Sequence, residues 1–461
     1  MQLIHDTPAS SSDGFVSELA ALLPAGVVSV EGADLEAARA DKCGHRAQGR
    51  PICVIHASSV EDVQATLRFA NERRIPVVPR GAGSGLAGGA NTGTGEISLS
   101  LARMTRILEV NAADQLAVVE PGILNADLNA QLLEHGMWWA PDPASKAISS
   151  VGGNIATNAG GLLCTKYGVT REAVLALDVV LANGELIKVG HRTVKGVTGL
   201  DLAALMIGSE GTLGVIVGAT VKLRPLVPGT VWTLGAFFPD ERSAASACAA
   251  VTAAHQRPAI MELVSRVAVR MLARYTGDPM EGAFVLIQTD DNDAADVAEK
   301  IEAILLEHGG KVSRTDDPAR ADHLVQVRRQ VHFAYESFGN VLVEDVAVPR
   351  SRLADMFDAC NAIAEKYDVV IPISAHAGDG NLHPTFVFDG AEPSEAVWAA
   401  ADEMFTTAIE LGGTLTGEHG IGILKSRWLG QELGGTQLEL QRQIKAVFDP
   451  NGILNPGKVF G

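Results

Sequence analysis

The sequence predicts an α+β fold with a boundary near Pro225 and Pro228, on three observations. A β–α–β unit near the N-terminus runs straight into a glycine-rich loop, RGAGSGLAGGANTGTG (80–95), instead of into a helix. The stretch from that loop to Pro225 reads mostly as strand. Beyond the two prolines the composition shifts, and strands alternate with helices in the manner of an antiparallel sheet packed against helices. At roughly 150 residues per domain, such a chain holds about three domains or two large ones.

The elements follow in order. FVSELAALLP (15–24) reads as a short amphipathic helix and PICVIH (51–56) as a strand. SSVEDVQATLRFANERR has Ser58 or Ser59 as N-cap and apolar residues spaced near 3.6, and IPVVP (75–79) is the next strand. ISLSLARM, ILEV and QLAVVEPG are strands, and the helix NADLNAQLLEHG (125–136) follows them. SSVGGNIATNAGG (149–161) is a second Gly/Asn-rich zone. VLALDVVLANGELIKV is a hairpin, because Asn183-Gly184 sits between alternating apolar residues. LAALMIGSEGTLGVIVGATVKLRP (202–225) closes this half. Next, strands VWTLGAFF, AIMELVS, AFVLIQTD and KVSRT alternate with helices DERSAASACAAVTAAH and DAADVAEKIEAILLEHGG. The last third holds the strand VVIPISAHAGDGNLHPTFVFD, a helix over 393–411, the loop GGTLTGEHGIGILK, a further helix and the tail FDPNGILNPGKVFG.

Composition narrows the function. The chain is 47% hydrophobic and 20% charged, which excludes a mostly disordered protein. Its net charge is 37 − 55 = −18, which argues against a general binder of nucleic acid or anionic membrane. A local basic pocket for a small anion is still compatible with that balance. Five scattered cysteines without a CxxC fit a reducing compartment and exclude an iron–sulfur cluster bound by clustered cysteines of this chain. The start, MQLIHDTPASSSDG, lacks a basic segment followed by an apolar run, and no stretch of about 18 apolar residues occurs. The expectation is a cytoplasmic protein with no signal peptide and no transmembrane segment.

Gly83-x-Gly85-x-x-Gly88 formally matches a dinucleotide fingerprint, but the context is wrong for NAD. More glycines follow where a helix should start, and Arg103 and Arg106 stand where an acid should be. Successive N–H groups in a tight glycine loop form an anion nest, which would hold a pyrophosphate without a Rossmann fold. The alternative is a mobile surface loop.

The sharpest cluster is His376-Ala-Gly-Asp-Gly-Asn-Leu-His383, with Glu418-His419-Gly420 further on. A strand–turn–strand through Gly378 and Gly380 can aim both rings at one place. Glu418 can complete a His/His/Glu set with open positions for substrate, and Asp379 can orient a ligand. The competing reading is two satisfied core histidines and a surface acid. Adjacent residues on an extended segment point to opposite sides, so Glu418 and His419 do not both ligate one ion from a regular strand. A turn at Gly420 would bring His419 near the same substrate as a general base; otherwise it is a structural histidine.

Taken together, these residues resemble the FAD-linked 2-hydroxyacid dehydrogenases of the vanillyl-alcohol-oxidase type, nearest the D-lactate dehydrogenases and glycolate oxidase flavoprotein subunits. The carriers span roughly 45–460: Pro79 to Leu86, Gly152-Gly-Asn154 with Asn158-Ala-Gly-Gly161, Gly208-Ser-Glu-Gly-Thr-Leu-Gly214, His376 to His383, Gly417-Glu-His-Gly-Ile-Gly422 and Leu454-Asn-Pro-Gly-Lys458. The resemblance implies a two-part flavoprotein. Residues 1–225, completed by 431–461, would bind FAD, and 226–430 would form an α+β cap on an antiparallel sheet that carries the metal. Arg80, Gly81, Ala82, Gly83, Ser84, Gly85 and Leu86 would hold the pyrophosphate. Ser145, Gly152, Gly153, Asn158 and Gly161 would line the cofactor, Gly211, Gly214 and Ile216 its adenine and ribose side, and Asn455 would reach toward the flavin. Some members attach FAD through a histidine in this loop. Ser84 stands there, which implies non-covalent FAD.

The family's ligands map onto His376, His383 and Glu418, for Zn²⁺, Mn²⁺ or Fe²⁺. His419 would be the base. Arg328 would bind the substrate carboxylate, with Arg329 leaving the register open by one and a surface ion pair as the alternative. Where D-2-hydroxyglutarate dehydrogenases carry a lysine, an asparagine and a threonine, this chain has Val343, Thr385 and His332. That implies oxidation of a small D-2-hydroxyacid such as D-lactate or glycolate, with His332 able to meet a polar tail. Alternatives are a D-2-hydroxyglutarate dehydrogenase, an O₂-using oxidase, an alkyl-glycerone-phosphate-synthase-like transferase, or a flavin binder without activity. The transferases carry a histidine run that is missing here. The electron acceptor would be a quinone, a cytochrome, or a partner flavoprotein or iron–sulfur subunit.

Overall fold

The computed structural model describes residues 12–227 and 229–460. Pro228 of the expected boundary and residues 1–11 of the N-terminal segment lie outside them. The chain divides into two compact units. One comprises Met1–Ala159, Val169–Leu226 and His419–Gly461; the other comprises Gly160–Gly168 and Val227–Glu418. The C-terminal return thus starts at His419, earlier than the expected 431, and a short inner segment goes with the second unit.

The first unit contains two main sheets. Cys53–His56 and Val77–Arg80 flank Ile97–Ser100, both parallel to it. The crossover is the helix Val60–Arg73. Its cap is Ser59, not Ser58: the Ser59 hydroxyl accepts from the Asp62 amide at 3.2 Å, and the Asp62 carboxylate accepts from the Ser59 amide at 3.2 Å. The C-terminal tail pairs with Val77, whose amide donates to Ile453 O while the Asn455 amide donates to Val77 O, each at 2.8 Å. Ile453 and Leu454 are thereby buried in the core formed by this sheet and its helix.

The second sheet is antiparallel, in the order Ile107–Asn111, Leu116–Val119, Val215–Lys222, Val174–Val180, Leu186–Gly190. Gly184, at φ 80°, closes the predicted hairpin. The Gly/Asn-rich zone is partly helical. Ser150 caps Val151–Thr157, and Asn158 ends it in the left-handed region. Gly152 has a packing reason: a Cβ there would lie 2.4 Å from Pro121 Cβ.

The second unit is built on one sheet. In chain order its strands are β1 (Trp232–Phe238), β2 (Ile260–Val264), β3 (Ala283–Thr289), β4 (Lys311–Thr315), β5 (Asn340–Val343), β6 (Val346–Ala347), β7 (Ile373–His376) and β8 (Asn381–Phe388). Their spatial order is β4-β1-β3-β2-β7-β8-β5, with β6 also paired to β8, and every pairing is antiparallel. The segment VVIPISAHAGDGNLHPTFVFD is the strand–turn–strand expected at its glycines: the β7–β8 hairpin, turned at Gly380 with φ 88°. The inner segment is tied in by Tyr167, whose hydroxyl donates to Asp290 at 2.6 Å, and by Lys166 with Asp290 and Asp291.

Burial pushes the Cys53, Cys248 and Cys360 thiols up to about 12, so these are packing residues and not nucleophiles. Among the described residues, no helix is long and apolar enough to cross a membrane.

Candidate active site

Strand register brings the key side chains of the second unit together. Glu262 on β2 lies directly opposite His376 on β7, and His376 lies opposite Asn381 on β8. Opposed residues share a sheet face, and so do residues two apart on a strand. His383, two beyond Asn381, therefore points the same way as His376. The two rings are 5.0 Å apart, edge to face. Glu418 Oε1 lies 3.3 Å from His376 Nε2 and 3.2 Å from His383 Nε2. One ligand atom from each of the three falls within 4.8 Å of the others.

Glu418 comes from a loop, and Asp345 holds that loop. The Asp345 carboxylate, fully buried, accepts from the Thr416 hydroxyl at 2.8 Å and from the Gly417 and Glu418 amides at 2.7 Å each. Gly417 is needed for close approach, since a Cβ would lie 2.1 Å from Asn381 Nδ2.

The charges of the cluster stabilise one another. Burial disfavours the His376 imidazolium, but Glu262 and Glu418 outweigh it and hold its pKa well above the ordinary value. Burial likewise opposes ionisation of Glu418, yet His376 and His383 hold it well below the usual carboxylate range. The carboxylate that orients His376 is not Asp379. Asp379 accepts from the Asn381 amide within the turn, at 3.2 Å, and burial pushes it up to about 6 against the pull of His376.

Arg328, on the helix Pro318–Arg329, donates from Nε to Glu262 at 2.8 Å. Its two terminal amino groups have no acceptor among the described residues. Arg329, by contrast, is exposed and pairs at 3.9 Å with Asp322. His332 is not brought to this cluster: it is half exposed and pairs with Glu336, one turn along its own helix.

In the first unit, the glycine loop is braced from behind. Arg80 donates to Ala40 O at 2.9 Å and Ala90 O at 3.0 Å, so its guanidinium supports the loop. The Asp41 carboxylate accepts from the Gly88 amide at 2.9 Å. The amides from Gly81 to Ala87 have no acceptor among the described residues. Gly81 sits against the start of the helix Val151–Thr157, where a Cβ would lie 2.5 Å from Ser150 Oγ and 3.6 Å from Gly153 Cα. At Gly83, with φ 70°, a Cβ would strike the Arg80 guanidinium. Ser145 is half-buried in the loop before Ser150, and Ile216 is buried on Val215–Lys222. Gly211 adopts positive φ, as does Gly161 in the inner segment of the second unit, and Gly214 packs on Val179. Asn455 donates to Gly89 O at 2.9 Å and Glu210 O at 2.7 Å, so its amide ties three segments together.

Glu210 fixes the stretch that follows His419. Its carboxylate accepts from the Ile421 amide at 2.7 Å and the Gly422 amide at 2.9 Å. Burial nevertheless pushes it up to about 7 from an ordinary 4.5. An acid raised in this way binds a proton more readily folded than unfolded. Its stabilising contribution is complete below 4.5 and fades as pH rises through about 7. Relative to wild type, Glu210→Gln is therefore expected to gain stability between about pH 5 and about pH 8 in urea unfolding. A difference independent of pH contradicts this.

Comparison with known proteins identifies the family. The profile of the FAD linked oxidases, C-terminal domain, matches residues 227–459, and that of the FAD binding domain matches 51–190. The chain belongs to the FAD-linked oxidases. It is 40% identical over 425 residues to glycolate oxidase subunit GlcD of Bacillus subtilis, covering 90% of each chain. To the D-lactate dehydrogenase of Archaeoglobus fulgidus it is 38% identical over 415 residues, covering 88% of this chain and 90% of that one. Among solved structures, p-cresol methylhydroxylase with substrate bound superposes with a TM-score of 0.81 at 18% identity, covering 99% of this chain and 98% of that one. That likeness shows the fold. As a FAD-linked oxidase, the chain has a loop that fits an anionic cofactor group, through its amides without acceptors and its Gly81 cradle. Its His/His/Glu donors, two buried histidines and a partly buried glutamate, fit a divalent ion.

Glu262, Asp345 and Glu210 are site residues that the sequence reading missed. Two carried a signal. Glu262 is a lone acid in the apolar strand AIMELVS, and such a residue is seldom buried without a partner. Glu210 interrupts a glycine-rich turn. Asp345 carried none, because its partners, the Thr416 hydroxyl and two backbone amides, lie more than seventy residues away.

Proposed function

We propose that this FAD-linked oxidase oxidises a small D-2-hydroxyacid, of the D-lactate or glycolate class, to the 2-oxoacid. It would use non-covalent FAD and a divalent ion held by His376, His383 and Glu418. The observation that carries the reading is the union, in one compact unit, of a His/His/Glu set with an arginine that presents its terminal amino groups. The ion supplies Lewis acidity toward the substrate hydroxyl and FAD supplies the hydride acceptor. Arg328 binds the substrate carboxylate as a two-pronged clamp. His419, next to Glu418 in the chain, takes the hydroxyl proton. The residues of the glycine loop hold the cofactor pyrophosphate through backbone amides, and the absence of histidine from that loop supports non-covalent attachment.

The sheet face beside the cluster supports a small substrate. Thr385 lies two beyond His383 on β8, directly opposite Val343 on β5. Both share the face of His383, and Thr385 is buried. A threonine and a valine offer no charged partner for a second carboxylate, which disfavours 2-hydroxyglutarate. The relatives named glycolate oxidase subunit and D-lactate dehydrogenase point the same way. The test is an anaerobic titration of the flavin band with D- and L-lactate, glycolate, D-2-hydroxybutyrate and D-2-hydroxyglutarate. Bleaching by the small D-acids or glycolate, and not by D-2-hydroxyglutarate, is expected. A band that none of the small acids bleaches overturns the substrate class. Peroxide formation in aerobic turnover separates an oxidase from a dehydrogenase.

A further inference from the structure

We infer that Glu262 is a positioning residue shared by both halves of the substrate site, setting the metal-facing imidazole of His376 and the carboxylate-facing fork of Arg328 from one buried carboxylate. The inference rests on the reading of His376 as ligand and Arg328 as clamp.

The geometry is specific. Glu262 sits on β2, whose five residues are all buried, and its own side chain is fully enclosed. One oxygen, Oε1, is 2.7 Å from His376 Nδ1, and the other, Oε2, accepts from Arg328 Nε at 2.8 Å. Each contact settles a choice. A hydrogen bond from Nδ1–H to Glu262 leaves Nε2 as the imidazole atom facing His383 and Glu418. A hydrogen bond from Nε–H fixes the guanidinium plane and leaves the terminal amino groups to face a ligand. Because Glu262 is anchored on an interior strand directly opposite His376, the spacing between ligand and clamp is set by the sheet. A glutamine cannot replace it. Its amide has one oxygen and one donor group, so it can accept from His376 or from Arg328 but turns an N–H toward the other.

The test uses the FAD-loaded protein, with Co²⁺ as the probe ion and glycolate and D-lactate as substrates. In Glu262→Gln, chelator competition is expected to show Co²⁺ bound about 10–100-fold more weakly than in wild type. In the same variant, KM for the acid is expected to rise about tenfold or more, with FAD content unchanged. A purely structural defect instead lowers the active fraction and so kcat, leaving KM and the Co²⁺ affinity of the folded molecules alone. Wild-type Co²⁺ affinity or wild-type KM in the variant overturns the inference while leaving the metal reading intact. A wild-type protein that takes up no Co²⁺ overturns the metal reading and the inference with it. Glu262→Asp keeps the charge but shortens the reach; if the glutamine variant does not fold, the same two losses are expected there, and their absence overturns the proposal.

Discussion

Replacing His419 with alanine is expected to slow reduction of bound FAD by a substrate acid about 10²–10⁴-fold, the usual range for a lost general base. FAD and metal content should stay at wild-type levels, because His419 is not part of the ligand set. The chain around it explains why one residue can be singled out. Glu418 is fixed on one side by Asp345, which accepts its amide hydrogen. Gly420, at φ 87°, turns the backbone immediately after His419. Glu210 then pins Ile421 and Gly422. The backbone on either side of His419 is thus tied down by hydrogen bonds. Anaerobic stopped-flow measurement of flavin bleaching checks the effect, and an unchanged rate removes His419 as the base.

Removing a ligand should be at least as severe. His376→Ala is expected to lose most of its bound ion. Turnover should fall about 10³-fold or more, since Lewis-acid stabilisation is worth several kcal/mol and each ~1.4 kcal/mol is a factor of ten. That variant also deprives Glu262 of one partner. His383→Ala separates the two effects, because Glu262 makes its contacts with His376 and Arg328. Elemental analysis and turnover should show the same loss in both. An ion retained at wild-type stoichiometry in either variant contradicts the assignment of that ligand.

Local chemistry was legible in the sequence wherever short-range rules decide structure. The Asn183-Gly184 hairpin, the helix capped at Ser59 and the turn between His376 and His383 follow from residue types at fixed offsets. The helix inside the Gly/Asn-rich zone was not anticipated, for an equally local reason. Gly152 and Gly153 have poor helix propensity, and tertiary packing against Pro121 overrides it. The site was legible for side chains that bear chemistry within motifs, and Arg328 could be told from Arg329 only by what each touches. His332 stood four residues beyond Arg328, one helical turn on, yet it pairs with Glu336 at the surface. Glu262 was invisible as a partner because strand register, not sequence distance, sets it opposite His376.

The most direct test of the whole account is anaerobic titration of the FAD-loaded protein with glycolate and D-lactate, before and after metal removal. Bleaching of the flavin band by at least one of them is expected, with its loss on exhaustive chelation and its return when Zn²⁺, Mn²⁺ or Fe²⁺ is added back. Bleaching that survives complete removal of metal would contradict the role given to His376, His383 and Glu418.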